Sequence, residues 1–134
     1  MQISCFDDLL LAASQQPQGQ RLLLVFASAE LPEEATPAQR ADFAQGHGGA
    51  LVPAMCVDQT PDEIGNFERL VQEANQFGTA WQVVFVSTLS GQGSEPPSSK
   101  TAEPVLQRMV EAIKLGTLAN MIAFDTTGQA IDLV

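Results

Sequence analysis

Apolar positions along the chain follow two rhythms. Phe6, Leu9, Leu10 and Ala13 fall at helical spacing on one face, predicting a helix over about Cys5–Gln15, with Ser4 as its cap and Pro17 and Gly19 beyond its end. Leu22–Ala27 is instead an unbroken apolar run, as expected of a strand covered on both faces. Thr36-Pro37-Ala38-Gln39 combines a Thr cap, a Pro at the first helical position and a Gln three residues after the cap, predicting a short helix from Pro37 to Gln45 closed by Gly46. Thr60-Pro61-Asp62-Glu63 repeats that device ahead of a third helix, with Ile64, Phe67, Val71 and Ala74 as its inner stripe and Gly78 at its exit. Between these helices, Ala50–Val57 reads as a strand in which Pro53 cannot donate a ladder bond, so an edge position or a bulge is implied.

Trp81–Thr88 is a further strand, with Phe77 and Trp81 expected to pack in or beside the core. A polar Gly/Pro/Ser loop covers Ser90–Lys100. A fourth helix begins at Thr101, turns Val105, Leu106, Met109, Val110 and Ile113 inward and ends at Gly116. Met121–Phe124 and Ala130–Val134 flank Asp125-Thr126-Thr127-Gly128 as a C-terminal β-hairpin. Alternation of this kind predicts a single α/β domain over residues 1–134. The expected architecture is a layered sandwich with a mixed, mainly parallel sheet of about five strands and about four helices.

Composition narrows the chemistry. The 134 residues are 45% hydrophobic, enough for one core, and carry 16 acidic against 6 basic side chains, a net charge of −10. Such a surface repels phosphate backbones and anionic lipid, so neither nucleic acid nor membrane is an expected partner. No apolar run reaches the roughly 18 residues of a membrane span, and the N-terminus lacks the basic start of a signal peptide. Cys5 and Cys56 form no C-x-x-C pair, which fits free thiols and a cytoplasmic setting. With one His and no Tyr, histidine-rich zinc sites and two-histidine di-iron sites cannot be built from one chain, so no metal or cofactor is expected.

In a parallel sheet, ligands gather beyond the carboxyl ends of the strands. That rim would hold Ser28 and Glu30, then Asp58, then Ser90, Gly91 and Gly93, as candidate ligand-binding residues. Cys56 beside Asp58 is the candidate nucleophile, since a thiol near a helix start can ionise readily; alternation in an apolar strand can equally turn it into the core. His47, between glycines, is a candidate proton shuttle or an ordinary loop residue. Gly91-Gln92-Gly93-Ser94 lacks the spacing of a phosphate-binding loop.

The segments LVFASAELP (24–32), GGALVPAMCVDQTPDE (48–63), VFVSTLSGQG (84–93) and LQRMVEAIKLG (106–116) resemble, over nearly the whole chain, short bacterial proteins labelled ribonucleotide reductase subunit alpha. The resemblance implies an accessory link to ribonucleotide reduction. It carries over no catalytic residue. The thiyl-radical cysteine with its redox pair would need more than two cysteines, and the radical tyrosine and histidine-ligated di-iron site have no counterparts. The residues themselves point first to a non-catalytic association module, binding a second copy or another protein through an edge strand at Ala50–Val57 or Ala130–Val134. A ligand binder or enzyme using Cys56, Asp58 and Ser90 is the alternative.

Overall fold

In the computed structural model, residues 3–31, 34–44, 50–78 and 80–132 are described. Helix α1 (Phe6–Ser14) leads into strand β1 (Gln20–Glu30), followed by α2 (Pro37–Ala44) and β2 (Ala50–Gln59). The short α3 (Pro61–Ile64) and α4 (Phe67–Asn75) precede β3 (Val83–Ser90). Then come α5 (Ser99–Leu115), β4 (Ile122–Asp125) and β5 (Ala130–Ile131).

The apolar run of β1 decides the architecture. Leu22 to Ala27 are all at most 1% exposed, and alternate residues leave the strand on opposite faces. Leu22, Leu24 and Phe26 enter one core with α1, α3 and α4, while Leu23, Val25 and Ala27 enter a second core under α5. The first core is aromatic at its centre. Phe6 lies 5.4 Å from Phe67 and 5.4 Å, edge-on, from Phe124, and Trp81 stands edge-on to Phe26 at 5.0 Å.

The sheet corrects the expected strand directions. Its order is β2-β1-β3-β4-β5, and every neighbouring pair is antiparallel, not mainly parallel. The connection through α3 and α4 does join two strands that run the same way, β2 and β3. However, β1 lies between them, so the unit is a split β-α-β. Alternating segments in a sequence cannot distinguish that arrangement from adjacent parallel strands. The α2 connection is no crossover either. Its described side chains are exposed, and β2 folds back directly on β1.

Local signals explain the remaining boundaries. Thr36 and Gln39 form the expected reciprocal cap at α2, as Thr60 and Glu63 do at α3. The expected third helix is two helices because Gly65 takes φ of 78° and Asn66 caps a fresh start, accepting the Arg69 amide at 2.8 Å. Ser98, not Thr101, caps α5, and Cys5 occupies the cap position of α1. Pro53 satisfies both readings offered for it. It lies in an edge strand, and the register with β1 shifts beside it, leaving Ala54 unpaired.

Two measurements check this construction. Amide exchange should be slowest in β1, from Leu22 to Phe26, and fastest in α2. Gly19 donates to Gly93 O at 2.9 Å, and a Cβ there would strike the Pro96 backbone. Gly19→Ala should therefore lower unfolding free energy by about 2 kcal/mol, whereas an alanine's Cβ at Gly78 meets nothing and its cost comes only from the positive φ of 70°.

Candidate functional site

Antiparallel pairing divides the expected rim. Ser28 and Glu30 pair with Val52 and Ala50 at one end of the sheet, while Asp58 pairs with Leu23 and Ser90 with Gln20 towards the other. The partners Leu23 and Ser28 lie five positions apart along β1, about 17 Å of strand. These side chains cannot close on one ligand. His47 lies outside the described residues.

The expected ligand-binding residues at the Asp58 end already have structural partners. The Ser90 hydroxyl lies 2.9 Å from the Gln20 amide nitrogen, which donates to it. Gly91 donates its amide to Gly19 O at 2.8 Å, and Gly93 accepts from Gly19, so these glycines let two loops touch and form no anion cradle. Cys56 is exposed on the β2 edge, on the face that carries α5, since it pairs with Val25. Among the described residues its sulfur has no hydrogen-bond partner, so no base is positioned to activate it.

Asp58 is the centre of a buckle. Arg21 Nη1 meets its Oδ1 at 2.7 Å, and Arg21 Nε donates to Pro97 O at 2.6 Å. The Ser99 hydroxyl, at the start of α5, lies 2.7 and 2.8 Å from the two carboxylate oxygens. Both charged side chains are only 14% exposed, so removing either leaves its partner charged in a poorly solvated place. Spatially, the buckle fastens β1, β2, the Ser90–Ser98 loop and α5 together. Nothing in the spacing of Arg21, Asp58 and Ser99 along the chain announces it.

Three other carboxyl groups serve turns and caps. Hydrogen bonds from the Ser4 amide and hydroxyl hold Asp8 below its ordinary value, those of Thr60 do the same for Glu63, and the Thr127 hydroxyl does so for Asp125. A hollow of about 520 Å³ lies beside Cys5 between α1, α4 and the β4–β5 turn, lined by the acids Asp7 and Glu68. Asp7 is occupied by the Phe67 amide at 3.0 Å.

A different surface is left open. A groove of about 290 Å³ runs between α4 and the β2 edge, with Phe26, Met55 and Val57 on the sheet side and Leu70, Ala74 and Phe77 on the helix side. Phe77, expected to pack, is 69% exposed at its mouth, while Trp81 is buried as expected. Gln59 and Glu73 close the other end, the Gln59 amide nitrogen lying 3.5 Å from the Glu73 carboxylate. Gln59 Oε1 is buried without a hydrogen-bond partner, a state that costs about 1–3 kcal/mol. The clue in the sequence was Phe77, apolar and one residue before Gly78. Its outward position depends on α4 ending at Asn75, two residues earlier.

Among the described residues no cluster of His, Cys, Asp and Glu could hold a metal ion, and no helix is long and apolar enough to cross a membrane.

Two outcomes test the buckle and the capped acids. Asp58→Ala should destabilise by about 2–3 kcal/mol, and pairing it with Arg21→Met should recover at least half of that loss, measured by denaturant unfolding. Depressed carboxyl groups contribute stability that is present above the unfolded-chain values near pH 4 and lost as pH falls through the lower folded values. The unfolding midpoint should therefore hold from pH 7 to 5 and drop below about pH 4. Replacing Asp8, Glu63 and Asp125 by their amides should flatten that drop.

No protein-family model matches the chain, and no curated protein and no solved structure is significantly similar to it.

Proposed function

We propose that this protein is a non-catalytic association module, and that it engages another polypeptide along the β2 edge and the groove beside it. The observation that carries this reading is the position of Phe77. A large ring is held out at the mouth of an apolar groove, next to a strand whose outer side pairs with no other strand of the sheet. The carboxylates of Asp58 and Glu63 are occupied in the buckle and a helix cap. Edge strands bind extended chains by continuing the ladder, and neighbouring pockets select the side chains. Pro53 and the adjacent bulge interrupt the upper part of the edge, so Met55–Gln59 is the stretch open to pairing.

The test is selection from a displayed library of random dodecapeptides on the intact protein, together with light scattering. Peptides should be enriched, and Phe77→Ser should weaken them at least tenfold, consistent with losing about 1.4 kcal/mol of apolar burial. Leu115→Ser, which removes a side chain 79% exposed on α5, should leave them unchanged. A dimer that Phe77→Ser dissolves would also support association by this face. No enrichment and no dimer, or equal binding by the Phe77 variant, overturns the proposal.

A further inference from the structure

Resting on that reading, we infer that the groove's occupant is an extended segment of a different protein, with an apolar side chain and a lysine or arginine two positions apart. Spacing sets the pattern. Met55, Val57 and Gln59 follow one another at every second residue of β2, and all three line the groove. A strand added beside them places its own groove-facing side chains about 7 Å apart. One lies against the apolar side chains of Met55, Val57 and Phe77. The next reaches the end closed by Gln59 and Glu73.

That second position asks for a cationic donor. Glu73 presents a carboxylate 39% exposed at this end of the groove, whereas Gln59 Oε1 is too deeply buried for a docked side chain to reach. The Arg69–Glu73 pair, 3.6 Å apart within α4, is a surface contact of small worth and does not occupy the groove. Only a cation complements the Glu73 carboxylate on a chain whose net charge is −10. A second copy of this chain fits poorly. It would bring a further net charge of −10 to the interface, and its own edge is interrupted at Pro53.

The same dodecapeptide selection separates the two ideas. Peptides whose binding depends on Phe77 should carry Lys or Arg two residues from an apolar anchor. For the strongest of them, Glu73→Gln should raise Kd at least fivefold, and so should replacing its basic residue by norleucine. The two changes together should cost no more than either alone, because they remove one interaction. Glu68→Gln, which changes the net charge equally on the first turn of α4, should have no such effect. Enriched peptides with no basic residue at that spacing, a Kd indifferent to Glu73→Gln, or a dimer through this face would overturn the inference while leaving the association reading intact. Absence of any Phe77-dependent binding would remove both.

Discussion

Everything in this molecule is organised by a six-residue segment that must be dry on both sides. Leu22–Ala27 exposes almost nothing, so helices are required over each face and strands along each edge. Helices α1, α3 and α4 supply one cover and α5 the other. Fully burying each of these side chains contributes on the order of 1.5–3 kcal/mol, whereas no single surface contact described above approaches that sum. The polar groups are then distributed by what the cover leaves over. Arg21, just ahead of the run, falls at the margin of the α5 layer, where the Asp58 carboxylate and the Pro97 carbonyl receive it.

This hierarchy explains why polar residues that look chemically attractive in the sequence turn out to be fasteners. Asp58 holds Arg21 and Ser99, Ser90 holds Gln20, Glu63 and Asp8 close caps, and Asp125 shapes the last turn. What remains unspent is apolar: the groove beside β2 and the phenyl ring at its mouth.

Local features were legible in the sequence, and relations between distant segments were not. The inner stripe of α1, the doubly covered β1, the two Thr-Pro caps, the awkward Pro53 and the closing hairpin all follow from short-range chemistry. Strand direction does not, because β1 can insert between β2 and β3 without altering either one's residue pattern. From that error came the single rim, which assumed that Ser28 and Asp58 share an end of the sheet. Gly65 was also visible, but its consequence depended on Asn66 starting a new helix at once. The groove was beyond reach for the same reason as the buckle: Gln59 meets Glu73, and Met55 comes to share a groove with Phe77, only after β2 and α4 are placed in space.

The inserted central strand also has a temporal consequence. Emerging from the ribosome, β1 precedes its neighbour β3 by roughly sixty positions, since Leu24 pairs with Val86, and it precedes β2 by about half that. Until Val83–Ser90 is synthesised, the most apolar stretch of the protein has at best one flank occupied. Loop closure over such separations is slow, and an uncovered strand of this kind invites intermolecular pairing. Nascent chains stalled before β3 are therefore the species most in need of a chaperone.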